Sequence, residues 1–306
     1  MHPLIYMIAG GALGWLGLNA AIRRGLAAPR LRSTQTPAGM PWHSVRIPTC
    51  RGKQLAGWHI PGATPGTPCI VIVHGWGGNA EAMLPLAAPL HAAGYALLFI
   101  ETRNHGSSDA DNFSSLPRFA EDLDHAIEWL HRQAPNQALP IAVIGHSVGA
   151  GAALLSASRR EDIRALVSIA AFAHPADMMR RWLKSKGIPY WPLGAYVLRY
   201  VQHVIAYRFD DIAPCHAIRH IPCPVLLVHG QDDDTVPLDD ACRIHANRNG
   251  EQVELHIIPG SHEQFDLSGE SLTPLIAFLD RNLQGLGAVP QNLPGKPVEP
   301  SLNNAM

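Results

Sequence analysis

Apolar positions along this chain follow two alternating rhythms. Short runs rich in β-branched residues read as strands: Cys69 to His74 (CIVIVH), Ala96 to Ile100, Ile141 to Ile144, Ala165 to Ile169, Val225 to Val228 and Val253 to Ile258. A continuous run such as CIVIVH is the pattern of a strand covered on both faces. Between these runs, apolar residues recur at helical spacing over about 80–93, 116–132, 148–160, 238–249 and 272–283. Val45 to Ile47 and Leu55 to Ile60 form an antiparallel hairpin ahead of the series, followed by the turn-forming loop PGATPGTP. Strands alternating with helices predict an α/β fold, a mostly parallel central sheet with helices on both faces.

Three stretches break the rhythm. Between Ala171 and about Pro222 the chain is far longer than a simple crossover and carries Trp182, Tyr190, Trp191, Tyr196, Tyr200 and Tyr207 among Met178, Met179 and Leu198. This reads as a helical cap, about 172–222, over the ends of the strands. Most of its rings pack the cap, and Trp182, Tyr190, Trp191 and Tyr196 are candidate walls of an apolar pocket. The second break is Leu4 to Ile22, which is uncharged and about long enough at 1.5 Å per residue to match a hydrocarbon core roughly 30 Å thick. No basic stretch precedes it, whereas Arg23, Arg24, Arg30 and Arg32 follow it. Residues 1–26 are therefore expected to form a membrane anchor spanning 4–22, with the body facing the cytoplasm. Four glycines and Asn19 dilute the run, and the competing reading is an amphipathic or buried helix. Residues 27–44 read as a linker, 45–286 as the main domain and 287–306, with four prolines, as a disordered tail.

Composition narrows the class. The chain has 306 residues, 47% hydrophobic and 16% charged, enough for one large core. A net charge of −1, from 24 basic and 25 acidic residues, gives no footprint for nucleic acid. The five cysteines include no C-x-x-C pair, and Cys215-His216, His220 and Cys223 match no zinc spacing, so no metal site is expected.

The chemistry concentrates in Gly145-His146-Ser147-Val148-Gly149, which links the run Ile141–Ile144 to a small-residue helix. Strand, sharp turn and helix with a serine at the apex hold a hydroxyl clear of the sheet end. A serine is a poor nucleophile without a base and an acid to orient that base. Candidates follow at later strand ends: the acidic loop His229-Gly230-Gln231-Asp232-Asp233-Asp234-Thr235-Val236-Pro237, and His262 just past Val253–Ile258. Both loops open at the carboxyl ends of strands, where open α/β sheets place their sites.

On G-H-S-V-G, the H-G-x-x-D-x-x-V-P pattern over 229–237 and His262, the chain resembles the α/β-hydrolase superfamily over roughly Val45 to Leu283. The order Ser, Asp, His is the order that superfamily uses. The resemblance implies Ser147 as nucleophile, Asp233 as acid and His262 as base, with Asp232 and Asp234 as loop charges. It also implies that the backbone N–H groups of Trp76, in His74-Gly75-Trp76-Gly77-Gly78, and of Val148 form the oxyanion hole. Where the family often reads D-x-R-G-H-G-x-S, this chain has Glu101-Thr102-Arg103-Asn104-His105-Gly106-Ser107-Ser108, a segment expected to shape the strand end.

The expected activity is hydrolysis of a carboxylic ester through an acyl-enzyme, with no metal or organic cofactor. An anchor at residues 4–22 and an aromatic cap suggest a hydrophobic or lipid-like acyl substrate. The same constellation serves a serine peptidase or amidase, for which Asp177, Asp210 or Asp211 would receive a free amino terminus. A non-catalytic binding protein on the same scaffold is the third reading.

Overall fold

A computed structural model describes residues 3–133, 139–263 and 269–283, with side chains from residue 10 onward and beyond 271 in the last segment. The tail 287–306 lies outside the described residues. The chain begins with helix α1 (Pro3–Gly25). It then runs through β1 (His43–Thr49), β2 (Lys53–Ile60), β3 (Cys69–Val73), α2 (Ala87–Ala92), β4 (Ala96–Glu101), α3 (Leu116–Gln133), β5 (Ile141–His146), α4 (Val148–Ala157) and β6 (Ile163–Ile169). After them come α5 (Pro175–Ser185), α6 (Ala195–Ile205), α7 (Pro214–Ala217), β7 (Val225–Gly230), α8 (Leu238–Ala246), β8 (Val253–Ile258) and α9 (Gly269–Leu283).

The strands form one eight-stranded sheet in the order β1-β2-β4-β3-β5-β6-β7-β8. β1 and β2 pair antiparallel and β2 joins β4 antiparallel; every later pairing is parallel. Strand side chains alternate between two cores. Val71, Val73, Leu98, Ile100 and Val143 face α3 and α4, while Ile70, Ile72, Leu97, Phe99 and Ile144 face α2 and α9. Burial on both faces explains why these strands read as unbroken apolar runs instead of alternating ones. The helix expected over 80–93 is a 3₁₀ stretch, Ala80–Leu86, that contains Pro85 and is followed by α2; proline lacks the N–H that a continuous α-helix needs.

The region 172–222 is helical, as its interruption of the rhythm implies. α5 and α6 flank a wide turn at Tyr190–Gly194, and α7 seats the segment against α4, where a Cβ on Gly151 would fall 3.3 Å from Pro214.

Leu4–Ile22 does become helix, within α1. Among the described residues, however, no helix is long and apolar enough to cross a membrane, so the span expected over 4–22 is not met there. The polar groups of its second half serve the body instead. Asn19 is buried and its side-chain oxygen accepts a bond from Tyr196 Oη at 2.8 Å, while Arg23 Nε donates to Tyr200 Oη at 2.7 Å. Two of the four arginines behind the cytoplasmic-facing orientation, Arg23 and Arg30, are thus tied to the protein.

Candidate active site

The loops at the carboxyl ends of β3, β5, β7 and β8 converge on Ser147. Its backbone sits at φ 54°, ψ −117°, a conformation that costs energy for any residue with a side chain. Two glycines make the turn feasible. A Cβ on Gly145 would fall 2.4 Å from Gly149 O, and one on Gly149 would fall 2.4 Å from His74 O. Any larger residue would push α4 off the sheet. Ser147 N–H donates to Ile169 O at 2.8 Å, which ties the turn to the end of β6.

The polar side chains form a chain of hydrogen bonds. His262 Nε2 lies 2.9 Å from Ser147 Oγ, and His262 Nδ1 lies 2.8 Å from Asp233 Oδ2. The other carboxylate oxygen, Oδ1, accepts the N–H groups of Val236 at 2.7 Å and Thr235 at 3.0 Å. Burial alone would raise the Asp233 carboxyl; the His262 bond, the Val236 N–H and the nearby imidazoles outweigh it and hold the carboxyl below its usual value. Asp232 and Asp234 are exposed loop residues. The loops after β7 and β8 touch directly, since Asp232 N–H donates to Gly260 O at 3.0 Å. That contact brings Asp233 and His262 together across 29 positions of sequence.

Four more imidazoles surround this chain. His146 Nε2–H donates to the backbone oxygen of His262 at 3.0 Å, and burial together with the charge of His262 lowers its pKa to about 4. His229 Nε2–H donates to Val236 O at 2.7 Å and stands 3.5 Å from Asp233 Oδ2. His74 Nδ1–H donates to Gly75 O at 2.7 Å, and burial, helped by His105, lowers its pKa to about 3. His105 Nε2 accepts Gly77 N–H at 3.1 Å; burial depresses its pKa as well.

The 75–78 loop runs beside the serine. A Cβ on Gly75 would fall 3.2 Å from Ser147 Cβ. Trp76, the next residue, is 42% exposed at the mouth and stacks on Phe119 with ring centres 6.2 Å apart. Val148 opens α4, so its N–H lies at the positive end of that helix, a place suited to developing negative charge. Phe119, the platform beneath Trp76, carries no sequence signal beyond the apolar stripe of α3.

The candidate pocket rings separate. Tyr190 and Trp191 line a cavity of about 500 Å³ whose other walls include His174, Asp177, Arg180 and Arg243, a set containing neither Ser147 nor His262. Tyr196 turns to Asn19 of α1, and Trp182 packs half-buried on the core. Among the described residues, no group of three or more His, Cys, Asp or Glu side chains could hold a metal ion.

Comparison with known proteins agrees with the fold. A sequence model of the family described as serine aminopeptidase, S33, matches residues 65–219, just over half the chain. Human protein ABHD12B is 28% identical over 253 residues, covering 78% of this chain and 67% of the relative. The Bacillus subtilis protein YqkD is 28% identical over 220 residues, 71% of each chain. The solved structure of the Pyrococcus furiosus esterase Pf2001 superposes with a TM-score of 0.68 at 22% identity, covering 83% of this chain and 98% of that one. With the parallel sheet and the serine turn between β5 and α4, the matched family model settles the assignment: this chain belongs to the serine aminopeptidase S33 family of α/β hydrolases.

Proposed function

We propose that the protein is a serine hydrolase that cleaves carboxylic esters of hydrophobic, lipid-like acyl groups. The observation that carries this reading is the unbroken run Asp233–His262–Ser147, with contacts of 2.8 and 2.9 Å. Ser147 Oγ attacks the acyl carbonyl while His262 Nε2 takes its proton. The Asp233 carboxylate holds the imidazole with Nδ1–H toward itself and stabilises the imidazolium. The N–H groups of Trp76 and Val148 receive the oxyanion, the alcohol departs with the proton from His262, and water activated by the same imidazole releases the acid. Such a cycle needs no further group.

Ester substrates are favoured over peptides with a free amino terminus by the state of the cap carboxylates. Asp177 is paired with Arg180 and Arg243, each at 2.7 Å, and Asp210 with His174 at 2.9 Å. Neither offers an uncommitted negative charge to an ammonium group, which leaves exposed Asp211 as the one of the three candidates to receive it. Lipid-like substrates are favoured by the rings at the mouth and by α1, where Leu13, Trp15 and Leu16 are 70%, 56% and 56% exposed. Large apolar side chains clustered on one surface helix suit a lipid surface, on which residues 4–22 would seat the enzyme.

The test is turnover of p-nitrophenyl esters from acetate to palmitate by wild type and Ser147→Ala, with fluorophosphonate labelling of both. Turnover and labelling lost in the variant, with a preference for longer chains, is the expected result. Labelling without ester turnover would favour an amidase, and neither in wild type would favour a binding protein.

A further inference from the structure

The stretch after α1, expected as a linker, lies against the mouth of the site. Arg30 Nε donates to Gly106 O at 3.0 Å, and its Nη2 donates to Ser108 O. Ser33 Oγ donates to Glu101 Oε1 at 2.9 Å, and Asn79 Nδ2 donates to Leu31 O at 3.2 Å. The Glu81 carboxylate accepts the N–H groups of Thr34 at 2.5 Å and Gln35 at 3.2 Å. Five anchored residues among the six of 30–35 make this a docked strap. Glu101, where related sequences often carry aspartate, is 4% exposed and also accepts Ser107 N–H at 2.6 Å, so one buried carboxylate joins strap and loop.

The strap reaches the reacting centre at one residue. The Pro29 ring lies over Gly77 so closely that a Cβ there would fall 2.7 Å from Pro29 Cγ. His105 Nε2 in turn accepts Gly77 N–H at 3.1 Å. Gly77 has φ 73°, the left-handed conformation that turns the chain back after Trp76. The residue after Trp76 is therefore held both by a ring from outside the hydrolase domain and by an imidazole from within it. Arg30 fixes the 106–108 segment that directly follows His105, so both contacts on Gly77 depend on the strap.

We infer that Pro29 and Arg30 are positioning residues for the oxyanion hole: they hold the 75–78 loop so that Trp76 N–H is aimed at the developing charge. This inference rests on the serine-hydrolase reading above. An oxyanion donor acts only when aimed where the charge develops, and losing one outright costs about a hundred- to a thousandfold in rate. Loosening its aim removes part of that, about tenfold, without changing ground-state binding.

The experiment uses the full chain with Pro29→Gly, Arg30→Ala and Arg30→Lys, and Arg32→Ala as an exposed control. The preferred p-nitrophenyl ester gives kcat and KM. A trifluoromethyl ketone, whose hemiketal with Ser147 carries the oxyanion, gives affinity for the charged state. Hydrogen exchange reports the backbone of residues 75–79. Expected are a kcat about tenfold lower in Pro29→Gly and Arg30→Ala, an unchanged KM, and a ketone affinity weakened by the same factor. Exchange at 75–79 should quicken, Arg30→Lys should recover part of each effect, and Arg32→Ala should match wild type. Unchanged kcat and ketone affinity would overturn the inference, even with a lowered Tm. A wild type that neither turns over esters nor takes the fluorophosphonate label would refute the hydrolase reading instead. Exchange at 75–79 would then judge the strap alone, and no change in either variant would overturn it.

Discussion

Asp233→Asn isolates what the carboxylate does, because it changes charge and tautomer while leaving shape almost intact. Asp233 Oδ1 receives two backbone N–H bonds, from Val236 at 2.7 Å and Thr235 at 3.0 Å. In the variant those donors pin the amide oxygen on their own side, so the NH₂ group faces His262 Nδ1, where Oδ2 now stands at 2.8 Å. Nδ1 must then accept a hydrogen bond, and the imidazole proton moves to Nε2, 2.9 Å from Ser147 Oγ. An imidazole protonated there cannot take the serine proton. In a serine protease triad the same change lowers kcat about 10⁴-fold, equivalent to about 5 kcal/mol of barrier, and that is the loss expected here. The fold keeps both backbone bonds and exchanges one charged hydrogen bond for a neutral one, a change of about 1 kcal/mol in stability. The assay is steady-state turnover of the preferred p-nitrophenyl ester, paired with a thermal melt and with Asp232→Asn and Asp234→Asn as controls. Turnover of Asp233→Asn within tenfold of wild type would refute the tautomer argument and move the acid to a neighbouring aspartate.

Acid should destabilise the fold through buried histidines. His74 and His146 have folded pKa values of about 3 and about 4 against 6.5 in the free side chain. The unfolded chain thus binds the extra protons, and the stability is full above about pH 6.5 and lost as pH falls toward the folded values. At pH 5 the loss is about 2 kcal/mol for each, so urea midpoints should drop clearly between pH 7 and pH 5; equal midpoints would refute the assignment. Arg103, with its side chain 1% exposed, bonds Asp122 at 2.7 Å and Glu121 at 2.8 Å. Arg103→Met should cost about 3–5 kcal/mol in denaturant melts by leaving buried Asp122 unpaired, and Asp122→Asn in the same chain should restore part of it. Trp15→Ala with Leu16→Ala should weaken sedimentation with anionic phospholipid vesicles about tenfold or more, and unchanged sedimentation would remove α1 from lipid contact.

The inner strands were legible because they are buried on both faces and so announce themselves as apolar runs; the half-exposed edge strand Val253–Ile258 also has the bounds the pattern gives it. The serine turn was legible for a steric reason, since only glycines fit at 145 and 149 once α4 crosses the sheet end. What could not be read are contacts between distant segments that have no period. Tyr196 and Tyr200 look like cap aromatics, yet their hydroxyls meet Asn19 and Arg23 of α1. Residues 27–44 lack any apolar rhythm and read as a linker. Nothing in Pro29 or Arg30 alone announces that one covers Gly77 and the other holds Gly106 and Ser108.

The histidines show how hydrogen bonding sets one imidazole apart from chemically equal neighbours. Five imidazoles lie near Ser147, and four are committed by their hydrogen bonds. His74 and His105 carry their proton on Nδ1, toward Gly75 O and Arg103 O, and spend Nε2 accepting the N–H of Thr102 and of Gly77. His146 and His229 carry theirs on Nε2 and donate it to the backbone oxygens of His262 and Val236. Depressed pKa values keep His74, His105 and His146 neutral, so they serve as fixed donors and acceptors that set the loops. His262 alone among the five has one nitrogen on a carboxylate and the other on the serine. The Asp233 carboxylate lies on that imidazole, whereas burial disfavours a cation on His74, His105 and His146. The surrounding histidines in turn fix the two things His262 needs: its own backbone, through His146, and the loop bearing its acid, through His229. Replacing any of the four should therefore misplace the reacting groups without supplying or removing a proton acceptor, which separates their part from that of His262 in a pH-rate profile.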